Sequence, residues 1–241
     1  MISEVVKEKL SDKNQSDLVK PTIKQRRRLY LLEWMLGAAA IGILILAFFA
    51  KRYEFFPFDL YITRQIQLIQ NPLLESILLF ISWLGNFQQT IFSVVIVVVL
   101  FWILKRRDLA LGLLVSATGA VFISETLKSI VSRPRPDPTL VNQIEKFFKD
   151  DSFPSGHVLY YMGFYGFLLF ATFVLIKRRL WRHILSGVLI LMLVLVGVSR
   201  IYKGSHWFSD TLASYLIGII WLYFVVLFFE KFQVKSKKNG K

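Results

Sequence analysis

Six runs of this chain, at 29–50, 88–104, 109–131, 158–176, 184–198 and 210–229, are apolar and close on charged or strongly polar residues. A backbone crossing hydrocarbon must satisfy its own hydrogen bonds, so runs of this kind become helices. The chain is 55% hydrophobic and 15% aromatic over 241 residues, more apolar surface than a soluble domain of this size can hide. The fold class that follows is all-α: an integral membrane bundle of six transmembrane helices with extra short interfacial helices.

The intervening segments refine that outline. Residues 53–70 are too polar to span, and Phe58, Ile62, Ile66 and Ile69 recur at helical spacing against Asp59, Arg64, Gln67 and Gln70, which predicts a helix lying on the surface. Asn71-Pro72 supplies an N-cap and a first-turn proline. The helix it opens ends at Gly85-Asn86, too short to cross a core of about 30 Å, and is expected to be partly inserted or packed on the bundle. Residues 1–28 are expected to form a flexible basic cytoplasmic tail, residues 29–230 a six-span domain, and residues 231–241 a second basic tail. The first apolar run reads as a retained span, because the polar stretch before it is too long for a signal peptide.

The net charge of +14 invites a nucleic-acid reading, but no basic stripe alternates with exposed aromatics as a binding groove would. Topology accounts for it better. With the N-terminus inside, 20 of the 30 Lys and Arg fall on cytoplasmic segments, as the positive-inside rule requires. Both termini are then cytoplasmic. The absence of cysteine excludes disulfides, thiolate metal sites and cysteine nucleophiles.

Three polar clusters fall on the outer face of that topology. They are Lys128 with Arg135-Pro136, then Pro154-Ser155-Gly156-His157, then Ser199-Arg200 with His206 and Asp210. Lys128, Arg135 and Arg200 can surround one phosphate, the arginines by forked hydrogen bonds. Ser155 and Gly156 precede a helix, where a hydroxyl and free backbone N–H groups suit an anion. One of His157 and His206 can attack phosphorus while the other protonates the leaving oxygen. Asp210, four residues after His206, shares its helical face and is expected to accept a hydrogen bond from Nδ1–H, fixing the tautomer. Each residue also has an ordinary reading: a snorkelling Lys128, loop charges at Arg133 and Arg135, a helix cap at Ser155, a solvated histidine, a first-turn acid at Asp210. Glu125 is expected to pair with Lys128, and His183, among cytoplasmic basic residues, is left structural. Jointly the ordinary readings require matching chemistry to collect on one side by accident.

Lys128-x6-Arg135-Pro136, Pro154-Ser155-Gly156-His157 and Ser199-Arg200-x5-His206-x3-Asp210 together resemble the tripartite signature of the type-2 phosphatidic acid phosphatase superfamily, which includes membrane lipid phosphatases and vanadium haloperoxidases. The resemblance implies His206 as the nucleophile forming a phosphohistidine, Asp210 as its orienter, and His157 as general acid and then base. Lys128, Arg135, Ser155, Gly156 and Arg200 would hold the phosphate. It implies no metal and no cofactor. The expected substrate is a lipid phosphate monoester or diphosphate, of the phosphatidate, phosphatidylglycerol phosphate or undecaprenyl diphosphate class, met at the extracytoplasmic face of the cell membrane. A phosphotransferase using the same site and a non-enzymatic lipid-binding scaffold stand as alternatives. Loop 137–153 is a candidate cover for the site; Lys203 has no matching role, and oligomeric state is not legible.

Overall fold

The structure is a computed structural model that describes residues 23–144 and 151–239. Eight helices follow one another, with no strand among the described residues: α1 (Ile23–Ala50), α2 (Pro57–Gln67), α3 (Pro72–Leu84), α4 (Phe87–Ile103), α5 (Arg107–Val131), α6 (Gly156–Leu175), α7 (Arg179–Tyr202) and α8 (Phe208–Asn239). The chain divides into two units, Met1–Ala38 and Ala39–Lys241. The first contributes the opening half of α1; residues 1–22 of the expected tail lie outside the described residues. Apart from the span that begins at Tyr30, everything below concerns the second unit.

Five helices are long and apolar enough to cross a membrane: Tyr30–Ala50, Arg107–Val131, Gly156–Leu175, Arg179–Tyr202 and Phe208–Lys231. The pair α3–α4 makes a sixth if counted as one span, bent by 70°. The break falls at Gly85-Asn86. Residue 85 closes α3, and the chain then restarts as α4 after Asn86. The start of α3 is built as expected, with the Asn71 side chain accepting from the Leu74 N–H at 3.0 Å and Pro72 in the first turn.

The bundle is organised about α6, which packs against α5, α7 and α8. Its side chains from Val158 to Phe167 are buried without interruption, so it reads as apolar all round, the pattern of a helix enclosed by others. Ser116 of α5 donates to the Gly163 carbonyl of α6 at 2.6 Å, and Trp221 of α8 donates to the Ser116 carbonyl at 2.8 Å. Three helices are thereby tied together at mid-depth. By contrast α4 buries only Phe101 and presents its Val- and Ile-rich surface outward, as suits a helix solvated by lipid.

The interfacial helix expected between 53 and 70 is present, and the structure adds which of its sides faces inward. A helix does occupy 57–67, but its buried residues are the polar Asp59 and Thr63, while Phe58 and Tyr61 are exposed. The polar side faces the protein because ionic partners wait there, and the apolar side is left to the membrane interface. In the closing basic segment α8 continues as helix through Asn239.

Candidate active site

The second unit brings the three polar clusters to one end of α5, α6, α7 and α8. Lys128 stands in the last turn of α5 and forms the expected ion pair with Glu125, at 3.4 Å. Ser132 then adopts a left-handed conformation (φ 52°) that ends the helix and starts the segment carrying Arg133 and Arg135. Ser155 is the N-cap of α6 and Gly156 and His157 are its first residues. Arg200 lies near the end of α7, His206 in the short turn that follows, and Asp210 in the first turn of α8.

That turn depends on Gly204. Its φ is +65°, a left-handed conformation that glycine adopts without steric cost, and a Cβ there would collide with the Asn142 carbonyl oxygen. The turn folds tightly enough for the Arg200 carbonyl to accept the Ser205 N–H at 3.0 Å. His206 is thus held directly beneath the end of α7, almost fully buried.

The geometry fixes the tautomer of His206. Its Nδ1 lies 2.7 Å from the carbonyl oxygen of Ser152. A carbonyl only accepts, so Nδ1 carries the proton and Nε2 keeps its lone pair. Arg135 Nη1 stands 3.4 Å from that Nε2 and donates to the Ser205 carbonyl at 2.8 Å. Burial, with the charges of Arg135, Arg200 and Lys128 about it, holds the imidazole well below the ordinary histidine pKa; the Ser152 carbonyl opposes the shift. At neutral pH the ring is therefore uncharged.

The expected partner of Nδ1 was Asp210, and here the structure differs. Asp210 Oδ2 is 3.8 Å from Nδ1, outside hydrogen-bond range. Its oxygens are engaged elsewhere, by the Ser152 hydroxyl, by the Trp207 N–H at 2.9 Å and by Arg133 Nη1 at 2.5 Å. The aspartate holds the residue that holds the histidine.

The phosphate cradle is assembled from opposite sides. Arg200 Nη1 takes a hydrogen bond's length, 2.5 Å, to Ser82 Oγ of α3, which orients the guanidinium. A Cβ built at Gly156 would lie 3.9 Å from Lys128 Nζ and 3.2 Å from Ser124 Oγ, so the N-terminus of α6 and the α5 lysine share one small space. The hydroxyls of Ser155 and Ser124 are buried there with no hydrogen-bond partner among the described residues. Buried polar atoms of this kind ordinarily have partners, and two beside a helix N-terminus and a lysine suit an anion. His157 Nε2 lies 3.3 Å from Asn86 Oδ1, at the α3–α4 break. Arg200 and Arg135 act on His157 as they do on His206, with Lys203 in addition, so the two histidines share two cations. His183 lies apart from them, with Arg179 Nε 3.3 Å from its ring.

Ser82, Asn86, Asp59, Arg133 and Ser152 were not singled out as site residues from the sequence, although all but Asp59 and Arg133 touch a cradle cation or a histidine. Asp59 carried one hint: it is an interfacial acid with no cation within four residues of it. The segment 145–150 of the candidate cover lies outside the described residues. Of the rest, Ile144 donates its N–H to the Lys203 carbonyl at 3.2 Å, and Gln67 of α2 donates to the Asn142 carbonyl at 2.6 Å.

Comparison with known proteins agrees with this arrangement. The family model described as PAP2 superfamily matches residues 109–233. Phosphatidylglycerophosphatase B of Bacillus subtilis (strain 168) is 31% identical over 177 residues, which cover 71% of this chain and 83% of the relative. Undecaprenyl-diphosphatase of Sulfolobus acidocaldarius is 34% identical over 134 residues, covering 54% of this chain and 59% of its own length. Among solved structures, the transmembrane PAP2 type phosphatidylglycerolphosphate phosphatase of Bacillus subtilis superposes with a TM-score of 0.66 at 25% identity, covering 81% of this chain and 96% of that one. Aquifex aeolicus LpxE superposes with a TM-score of 0.53 at 27% identity, over 72% of this chain and 97% of its own. The chain belongs to the PAP2 superfamily, among its membrane lipid phosphatases.

Proposed function

We propose that this protein hydrolyses lipid phosphate monoesters or diphosphates by a metal-independent route through a phosphohistidine at His206. The observation that carries this reading is the placement of His206: Nδ1 lies 2.7 Å from the Ser152 carbonyl oxygen and Nε2 lies 3.4 Å from Arg135 Nη1. A neutral, oriented imidazole beside a guanidinium is a nucleophile next to a phosphate seat.

The reaction has two halves. Nε2 attacks phosphorus as the bond to the leaving oxygen breaks, and His157 gives that oxygen its proton. Water then attacks the phosphohistidine while His157 takes its proton, the P–N bond breaks, and phosphate leaves. Lys128, Arg135, Arg200 and the N-terminal amides of α6, with Ser155 and Gly156, stabilise the charge on the phosphoryl oxygens throughout. In this reading Lys128, Arg135 and Arg200 supply the positive charge that a divalent ion would otherwise provide. The relatives' names point to phosphatidylglycerol phosphate and undecaprenyl diphosphate as substrates to try first. The distribution of Lys and Arg supports an extracytoplasmic site with both termini inside.

The test uses the purified full-length protein in micelles with phosphatidate, phosphatidylglycerol phosphate and undecaprenyl diphosphate. Free phosphate should be released without an added acceptor, unaffected by EDTA, inhibited by vanadate and absent in His206→Ala. Acid-labile phosphate should be trapped on His206. Release that required a lipid acceptor would identify a phosphotransferase, and metal-dependent release surviving His206→Ala would refute the mechanism.

A further inference from the structure

Beside the phosphate cradle lies a second polar assembly. Arg133, Asp59, Ser209, Ser152 and Asp210 are all fully buried. Arg133 reaches two carboxylates at once, Asp59 Oδ2 at 2.9 Å and Asp210 Oδ1 at 2.5 Å. It also donates to Ser209 Oγ at 2.7 Å and to the Glu54 carbonyl at 3.1 Å. Asp59 in turn accepts from the N–H and the hydroxyl of Ser209, both at 2.8 Å, and from the Phe56 N–H at 3.1 Å. Ser152 is fastened on three sides. Its N–H donates to the Arg133 carbonyl at 2.7 Å, its hydroxyl to Asp210, and its carbonyl accepts the His206 Nδ1 proton.

Fold stability alone is a weak reason for such an assembly. Taking two carboxylates and a guanidinium out of water costs several kcal/mol per ion, and apolar replacements of similar size often do as well. What they do not reproduce is a hydrogen-bond acceptor fixed beneath His206 and a controlled charge beside it. With the arginine satisfied, the trio carries one net negative charge, 3.8 Å from Nδ1 at its nearer end. Among the described residues, the other groups that act on His206 are positive or neutral: Arg135 from the loop after α5, Lys128 from α5, Arg200 from α7, and His157 from α6.

We propose that Ser152, Arg133 and Asp59 are positioning residues for the nucleophile: the Ser152 carbonyl sets the His206 tautomer, and Asp210, balanced by Arg133 and Asp59, holds Ser152 in place. The role of His206 as nucleophile is taken from the function proposed above; the structural part of the inference does not need it. Arg133 therefore acts through Asp210, and Asp59 acts through Arg133.

The experiment observes His206 directly, by nitrogen NMR of the full-length protein labelled at histidine, in micelles, beside steady-state phosphate release. His206→Asn assigns the signal. In wild type the ring should be the Nδ1–H tautomer at neutral pH. Arg133→Gln leaves the Asp210 carboxylate uncompensated beside the ring, so the midpoint should rise by about 1 to 3 pH units, and kcat should fall about 10²-fold with KM little changed. Asp59→Asn removes the balancing charge behind Arg133 and should move the midpoint the other way. Arg133→Lys keeps the charge and should restore the midpoint more than kcat. Ser152→Ala deletes one hydroxyl and is the variant least exposed to misfolding; it should lower kcat about tenfold while vanadate still inhibits. Unchanged tautomer and midpoint in Arg133→Gln, or in Ser152→Ala full kcat, would overturn the proposal, as would midpoints of Arg133→Gln and Asp59→Asn moving in the same direction. If the NMR shifts appear but no lipid phosphate is hydrolysed even by wild type, the positioning network stands and the proposed function falls.

Discussion

Gly85→Ala isolates one histidine from the other. Gly85 closes α3 with φ −87° and ψ 0°, a conformation alanine adopts at little cost, so the backbone itself does not object. The side chain does. A Cβ at this position would overlap His157 Cδ2 and stand 3.1 Å from Cγ and 3.2 Å from Nε2. To regain a normal separation near 3.5 Å, the ring must retreat by about 1 Å. A displacement of that size at a group that transfers a proton costs up to about 10²-fold in the step it serves. His206 lies across the cradle, with Nδ1 still held by Ser152, and should keep its reactivity.

The assay compares leaving groups. With a lipid phosphate, whose alcohol needs a proton to depart, the variant should lose about 10- to 10²-fold in kcat. With an aryl phosphate, whose phenolate leaves unaided, formation of the phosphoenzyme should be nearly normal. Hydrolysis of that intermediate still needs His157 as base, so samples quenched in alkaline detergent, where the P–N bond survives, should hold more phosphohistidine than wild type. The thermal midpoint should change little, because the alanine keeps the backbone conformation and His157 is half-buried rather than enclosed. Wild-type kcat on a lipid phosphate, or equal loss on both substrates with no accumulated intermediate, would refute the reasoning that places His157 in proton transfer.

Three further outcomes follow from the site. Gly204→Ala forces a left-handed alanine, costing about 1 to 2 kcal/mol, and drives its Cβ into the Asn142 carbonyl; thermal melting should fall and kcat with it, whereas Gly204→Asn should recover part of the melting loss but not kcat. Ser82→Ala removes the hydroxyl that orients Arg200 and should raise the inhibition constant for vanadate more than it lowers stability, measured by titration of initial rates. The pH dependence has a definite sign: His206 is held below its unfolded value near 6.5, so the folded chain resists a proton that the unfolded chain accepts. Its contribution to stability is present above pH 6.5 and is lost as pH falls toward the folded pKa, and the acid limb of kcat/KM due to the nucleophile should lie below pH 6.5.

The sequence displayed the cradle more clearly than its supports. Lys128, Arg135, Ser155, Gly156, His157, Arg200, His206 and Asp210 stand in three short segments beside membrane-length helices, and helix ends must gather at the membrane boundary. Segment order and apolar length were therefore enough to place them on one face. Ser82 and Asn86 escaped notice because they sit in a stretch that reads as an ordinary short helix and a turn. Only the 70° break between α3 and α4 brings that stretch onto Arg200 and His157. Asp59 escaped notice because the sequence alone does not say which side of an interfacial amphipathic helix is inward. At a membrane interface the apolar side has a solvent of its own, so the polar side is free to face the protein when a cation is buried there. Arg133 and Arg135 are two residues apart in one Arg-Pro-Arg-Pro run, and composition cannot tell them apart. Tertiary contacts do, one arginine going to Asp59 and Asp210 and the other to His206.

The separation of those two arginines bears on how charge is managed across a catalytic cycle of the proposed kind. Before substrate binds, the cradle cations disfavour a proton on His206 and so keep the nucleophile neutral. A lipid phosphate entering the cradle offsets those cations, and the imidazole becomes more basic when an attacking lone pair is required. When the P–N bond forms, the ring acquires positive charge, and the nearby carboxylate becomes the group that matters. A lone Asp210 at 3.8 Å would favour the charged ring at every stage, including the resting one, and would draw a proton to Nε2. With Arg133 against it, the same carboxylate presents a reduced charge. The Nδ1 proton goes to a neutral carbonyl, which orients the ring without protonating it. Asp59 then restores one net negative charge to the assembly at a greater distance, where it favours the phosphorylated imidazolium without tying the ring to a carboxylate. A direct aspartate–histidine bond would orient the ring equally well; only the indirect arrangement separates orientation from basicity.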